Sequence, residues 1–155
     1  MGWFTWKAAL WIKEWLRQDG VWSESIRMTT EGGFAVLLTN NTGGASIKGQ
    51  VLEPSTTVDN AVETAAINAV DPMGVFYESG VADGDEAWVV ISGLVDILID
   101  AGGSTRGDWL GTGATGGSAV SSNSPPAAPT HFQEIGHSLE TRVGAGLARA
   151  VFHFN

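Results

Sequence analysis

From Thr29 onward, the hydrophobic residues of this chain recur with the two-residue period of β-strands. In the first such segment Phe34, Val36 and Leu38 share one face, and the turn-forming residues 40–44 follow. Further strands are predicted at residues 47–52, 74–77, 87–92, 94–100 and 147–154, with Asp/Gly turns between them. Many short strands separated by turns predict a mainly β fold, either a small β-barrel or a β-sandwich.

Two of these strands have a pattern that assigns their faces. Val95, Ile97 and Ile99 lie on one side of their strand and Asp96 on the other, which predicts a half-buried strand. The last strand keeps its alternation almost to the end of the chain, as expected for a strand paired within a sheet. Its predicted core face carries Ala148, Ala150, Phe152 and Phe154.

The start of the chain follows a different pattern. Five of the seven tryptophans lie within the first 22 residues, and residues 3–18 have the spacing of a helix with apolar side chains on more than one side. Because tryptophan is enriched where proteins grip partners, we expect residues 1–27 to form an amphipathic attachment arm and residues 28–155 to form the body. The predicted partner-binding residues are Trp3, Phe4, Trp6, Leu10, Trp11, Trp15 and Trp22.

Charge is divided in the same way between the two parts. Residues 1–27 carry four basic and three acidic side chains, whereas residues 28–155 carry four basic and fourteen acidic ones, which gives net charges of +1 and −10. Nucleic-acid binders neutralise phosphates with Lys and Arg. The acidic body therefore argues against a nucleic-acid partner.

Length and composition set further limits. A chain of 155 residues is expected to form a single domain. It has no cysteine, hence neither a disulfide framework nor a thiolate metal site. Charged residues interrupt the apolar start too often for a membrane span, and no signal-peptide pattern is present. We expect a soluble protein made in the cytoplasm.

Two segments have less distinct patterns. Residues 111–130 consist almost throughout of Gly, Ser, Thr, Ala and Pro, a composition that predicts a long loop, which we expect to lie along a neighbouring subunit. Residues 58–69 fit either a short helix or an extended segment.

No residue pattern indicates catalysis or a cofactor. His131 and His137, with Glu134 between them, lack the i, i+4 spacing of paired zinc ligands, so no metal site is expected there. The acidic residues 83–86 lack the closing carboxylate of a calcium loop. The serines at positions 121, 122 and 124 lack the context that exposes a nucleophile. We expect a protein that is not an enzyme.

Several short segments of the body carry a further resemblance: residues 48–52, 74–84, 88–93, 131–137 and 152–155. Together they resemble structural proteins of tailed-bacteriophage heads, in particular capsid decoration (cement) proteins. The resemblance covers about residues 29–155, and the tryptophan-rich start departs from the usual pattern of that family. It implies a non-enzymatic, β-rich and commonly trimeric subunit bound to the outside of an icosahedral capsid, with the major capsid protein as its partner.

Three functions thus follow from the sequence. The first is a virion structural protein of the decoration type. The second is a carbohydrate- or receptor-binding β module, for which Trp109 is the candidate aromatic platform because Trp88 lies in an apolar strand. The third is a peripheral membrane protein with an interfacial helix. That third possibility is weakened by the acidic body and because residues 1–27 contain only four basic side chains.

Overall fold

The computed structural model describes residues 24–153, and their secondary structure is mainly β, as predicted. The predicted N-terminal helix lies outside the described residues. A short 3-10 helix, Ala128–Gln133, precedes the ninth of ten strands. The strands are β1 Ile26–Met28, β2 Gly33–Asn40, β3 Val51–Pro54, β4 Ala61–Thr64, β5 Gly74–Phe76, β6 Glu86–Ile99, β7 Trp109–Thr112, β8 Ala119–Ser122, β9 Glu134–Ser138 and β10 Gly146–Phe152.

The ten strands form one mixed sheet that closes on itself twice. Their order is β1-β2-β4-β3-β5-β6-β10-β9-β7-β8, and β6 pairs in addition with β2 and with β8. These two extra pairings produce a first ring of β2, β4, β3, β5 and β6, and a second ring of β6, β10, β9, β7 and β8. Ring closure removes sheet edges. Of the two predicted architectures, the structure therefore corresponds to the barrel.

Strand β6 belongs to both rings and is 14 residues long. Its residues 86–93 pair with β2, and its residues 93–99 pair with β10. At the junction Gly93 has a φ of +88°, and a Cβ there would lie 2.7 Å from the carbonyl oxygen of Gly32. Glycine is required because it alone adopts this conformation in so little space. The sequence predicted two strands, 87–92 and 94–100, whereas the structure joins them through this glycine.

The core consists of two hydrophobic clusters, and the strands between them are buried on both faces. Val51 of β3 and Val75 of β5 belong to the larger cluster, whereas the next residue on each strand, Leu52 and Phe76, belongs to the smaller one. Continuous apolar runs such as these carry no alternation. Without an alternating pattern, the sequence predicted a strand at residues 47–52, which starts too early. In the structure β3 begins at Val51, and Ile47, which precedes it, is 51% exposed.

Where the structure describes them, the two strands whose faces were assigned from the sequence behave as predicted. Phe154, assigned to the core face of the last strand, lies outside the described residues. Val95, Ile97 and Ile99 are buried in the larger cluster, together with Phe152 of β10. On the opposite face Asp96 accepts a hydrogen bond of 2.7 Å from Arg149 Nε and lies 3.1 Å from Lys48 Nζ. Burial by itself would raise the pKa of Asp96, but these hydrogen bonds and charges more than offset it and hold the pKa below its ordinary value.

The prediction of a long loop at residues 111–130 is wrong. Strands β7 and β8 form an antiparallel hairpin in this region, with Trp109 opposite Ser122, and the 3-10 helix follows. The turn of the hairpin packs on its own chain, since the amide of Val51 donates to the carbonyl of Gly117 at 2.9 Å. Small side chains permit this close packing, and Ala119 is fully buried. Residues 58–69 contain no helix: they form β4 with a turn on either side of it.

No helix within residues 24–153 is both long and apolar enough to cross a membrane.

Candidate functional site

All three histidines of the chain lie around one buried carboxylate, that of Glu134. The Glu134 side chain is only 4% exposed. Its Oε1 lies 3.2 Å from His153 Nε2, and its Oε2 lies 3.5 Å from His131 Nδ1. His153 Nε2 is also 3.4 Å from His137 Nδ1. Donor atoms of Glu134, His137 and His153 all lie within 4.8 Å of one another.

Strand pairing brings the two half-buried histidines together. In the register of β9 and β10, Val151 lies opposite His137. His153 is two residues beyond Val151 and therefore on the same face, as a diagonal neighbour of His137. The amide of His153 continues the ladder past the end of β10 by donating to the carbonyl of Ile135 at 3.3 Å.

An irregularity in β9 turns Glu134 toward the same face. Gly111 of β7 pairs with Glu134, but the preceding residue of β7 pairs with Gly136, so Ile135 is an extra residue in β9. Without it, Glu134 and His137 would point to opposite faces, because they are an odd number of residues apart. A bulge of this kind re-aims a side chain. Here it places the carboxylate beside the imidazoles.

Two grooves adjoin this cluster. The ring centroid of Trp109 lies 4.1 Å from that of His137, and Trp109 also lines a groove of roughly 270 Å³ together with Pro125, Pro126 and Glu134. A second groove of about 160 Å³ runs along the other side. It is lined by Val70, Asp71, Pro72, Met73, Phe132, Glu134 and His153, so it gives access from solvent to the cluster.

The sequence singled out part of this cluster. From the sequence, His131, Glu134 and His137 were interpreted together as ordinary polar positions around a short turn. The structure instead places Glu134 and His137 in β9. The interpretation did not include His153, which lies 16 residues beyond His137 and joins it only through the β9–β10 pairing. The sequence did hold a signal for His153: in the correctly predicted last strand, it falls on the face opposite the core residue Phe152.

The acidic turn and the serines that were weighed as a calcium site and as nucleophiles make local contacts instead. Asp83 lies in an exposed turn, where its Oδ1 accepts a 2.7 Å hydrogen bond from the amide of Gly43. The hydroxyl of Ser121 donates to Asp108 Oδ2 at 2.7 Å. Ser121 thus faces a carboxylate rather than a histidine base, and the described residues show no Ser/His/Asp arrangement of the kind used by hydrolases.

The aromatic side chains differ in how much of each ring is covered. Arg27 lies over the Trp88 ring at 4.3 Å from its centroid and over Tyr77 at 5.0 Å. Trp88 is therefore occupied by a cation–π contact within the chain. Trp109 contacts His137 but remains part of the wall of the larger groove.

An exposed apolar ladder lies on β1 and β2, the first two strands of the described residues. Met28 of β1 lies opposite Phe34 of β2, and Ile26 lies opposite Val36, so the four side chains share one face. Ile26, Met28 and Phe34 are 41%, 56% and 36% exposed. The predicted partner-binding residues of the arm, from Trp3 to Trp22, lie outside the described residues, and the ladder begins a few positions after them.

Comparison with known proteins gives a structural match but no sequence match. A scan against models of protein families finds no match, and a search of the curated proteins finds none either. The fold is similar to the crystal structure of the head fiber gp8.5 N base in bacteriophage phi29, with a TM-score of 0.55 and 24% identity over 77% of this chain and 94% of that chain. The two chains share a fold.

Proposed function

We propose that this protein is a non-enzymatic structural protein of a tailed-bacteriophage virion, bound to the outside of the icosahedral head, which it decorates or stabilises. The observation that carries the proposal is the fold shared with the phi29 head fiber base, which includes 94% of that chain. The resemblance of the body's short segments to capsid decoration proteins is independent support. Its location would be the exterior of the virion, after synthesis in the host cytoplasm.

The surface chemistry is consistent with this role. The described residues present an exposed apolar ladder on β1 and β2, next in the chain to an arm with five tryptophans. Contiguous apolar surface of this kind marks a protein–protein contact. The body carries a net charge of −10, which disfavours contact with the packaged nucleic acid.

We assign attachment to the arm, with the major capsid protein as partner, and we expect the subunit to associate with copies of itself, as a trimer. Five tryptophans that each bury ~200 Å² at ~25 cal/mol/Å² give a gross apolar term on the order of 25 kcal/mol, as an upper bound. Association costs about 4–15 kcal/mol. The full gross term would therefore leave a surplus of about 10 kcal/mol even at the upper end of this cost.

Binding to purified heads that lack this protein tests the assignment. Full-length protein should decorate such heads, whereas a variant without residues 1–22 should fold but bind at least 100-fold more weakly. The pair Trp11→Ala and Trp15→Ala should weaken binding in the same direction, because a spacing of four residues would put both on one face of the helix predicted from the sequence. Cryo-electron microscopy gives the occupancy, and a mass measurement of the free protein gives the oligomeric state.

The matched control is Trp109→Ala, which removes a tryptophan from the body and should leave head binding unchanged. Normal occupancy by the truncated protein would show that attachment does not use the arm. If neither the full-length chain nor any variant binds heads, the proposed function itself is wrong.

The second candidate function is recognition of a carbohydrate or receptor by the body. The observation that favours it is the groove of roughly 270 Å³ beside Trp109 and the two prolines, since aromatic walls with a few polar groups are typical of ligand sites. Binding of the isolated protein to glycans, abolished by Trp109→Ala and retained when residues 1–22 are removed, would favour this function over attachment by the arm.

A further inference from the structure

We propose that Glu134, His137 and His153 bind a divalent transition-metal ion, with Zn²⁺ as the representative ion. The site is separate from the proposed function, because it uses only residues of the body. Two imidazole nitrogens and one carboxylate oxygen form a ligand set found in protein zinc sites with an open fourth position. We assign that fourth position to water.

The distances between the donor atoms suit one small ion. Zinc bonds to nitrogen and carboxylate oxygen are about 2.0–2.2 Å long, so two ligands at tetrahedral positions lie roughly 3.3–3.6 Å apart. His153 Nε2 is 3.2 Å from Glu134 Oε1 and 3.4 Å from His137 Nδ1. All three donors lie within 4.8 Å of one another, so small side-chain rotations bring them to bonding distance of one ion.

The framework holds these donors in place. Glu134 and His137 belong to the same strand, and the bulge at Ile135 points both to one face. His153 is attached to that strand by its backbone hydrogen bond to Ile135. The ring of His137 also contacts Trp109, which limits its rotation. Ligands fixed by the backbone in this way lose little entropy on binding.

The chemistry of the donors selects the class of ion. Nitrogen ligands suit zinc, copper, nickel and cobalt, whereas Ca²⁺ and Mg²⁺ prefer all-oxygen sites. A cation at this position would also interact with a carboxylate that is only 4% exposed, where electrostatic attraction is stronger than in water. The groove along Phe132 and His153 provides the entry path that a metal site needs.

The ion would join the end of β10 to β9. His153 lies one position beyond β10, and its side chain is 37% exposed. Bonds from the ion to His153 and to two residues of β9 would add a link between these strands just beyond the end of β10. The role that follows from this position is structural, because the metal stabilises the folded body.

The test is Zn²⁺ titration of the full-length protein, expressed without a histidine tag and freed of metal by a chelator. We expect one ion per chain by elemental analysis, and a melting temperature about 5–10 °C higher at a Zn²⁺ concentration 100 times the Kd. Mg²⁺ at the same concentration should have no effect. Substituted Co²⁺ should give the intense visible bands of a four-coordinate site.

Variants identify the ligands. Loss of one ligand should weaken Zn²⁺ binding at least as much as the 10–100-fold known for outer-shell partners. His153→Asn is the main variant, because its exposed position lets the chain fold without it. Glu134→Gln keeps the shape of the buried side chain and should weaken binding to a similar degree. The matched comparison is His131→Asn, which removes an exposed histidine 3.5 Å from the other oxygen of the same carboxylate and, as an outer-shell contact, should weaken binding clearly less than the loss of a ligand.

Three results would overturn the proposal: no saturable Zn²⁺ binding, unchanged affinity in His153→Asn, or an equal loss in His131→Asn. All of these measurements use the isolated protein, so they are independent of binding to phage heads.

Discussion

Replacing Phe152 by Ala is the most direct test of the fold, because Phe152 is a core residue of β10, which lies between two neighbouring strands. Its side chain is 1% exposed within the larger hydrophobic cluster. It lies on β10, which pairs with β6 on one side and with β9 on the other. Phe152→Ala should therefore leave a cavity in the second ring, where the surrounding strands are fixed by their ladders and cannot collapse into it.

The expected loss is large compared with the stability of the protein. Replacing a buried Phe by Ala costs about 3–5 kcal/mol, against a total of about 5–15 kcal/mol for a typical domain. For a chain of this size each kcal/mol lowers the melting temperature by roughly 2–4 °C. We therefore expect Phe152→Ala to melt about 6–20 °C below the parent protein.

Phe132 supplies a control with the same substitution at the surface. It lies in the 3-10 helix and is 62% exposed, so Phe132→Ala should change stability by about 1 kcal/mol or less. Both variants are melted by circular dichroism in a chelating buffer, so that metal does not contribute. Equal melting temperatures for the two variants would refute the placement of Phe152 in the core and, with it, the second ring.

Two further substitutions test particular contacts. Asp96→Asn should cost about 1–2 kcal/mol at neutral pH through the weaker hydrogen bonds to Arg149 and Lys48. Because the pKa of Asp96 is below its ordinary value of 3.8, the parent should lose this advantage as pH falls below about 4, and urea denaturation at pH 7 and pH 3 measures the difference. Gly136→Ala should destabilise by about 3 kcal/mol or more, because φ is +145° and a Cβ would collide with the backbone of β10. Gly44→Ala, with open space around it, is the control, and similar denaturation midpoints for the two alanine variants would contradict this reasoning.

The sequence determined the class of structure through local patterns. A two-residue period indicates that a strand has one buried and one exposed face. This period correctly predicted the buried face of residues 94–99 of β6 and the burial of Phe152. It was weaker wherever both faces of a strand are buried, as in β3, or where small residues form a tight hairpin, as in β7 and β8. In those segments the signal is absent, because burial there depends on what the rest of the chain brings alongside.

The cluster around Glu134 was decided by the tertiary structure alone. His137 and His153 are 16 residues apart, and only the register of β9 against β10 makes them neighbours. The facing of Glu134 depends on one extra residue in β9, which the spacing in the sequence does not encode. Side-chain periodicity is a property of a single strand, whereas register and bulges are properties of a pair. The sequence by itself therefore determined that this chain forms strands, and the pairing of those strands determined which of its side chains meet.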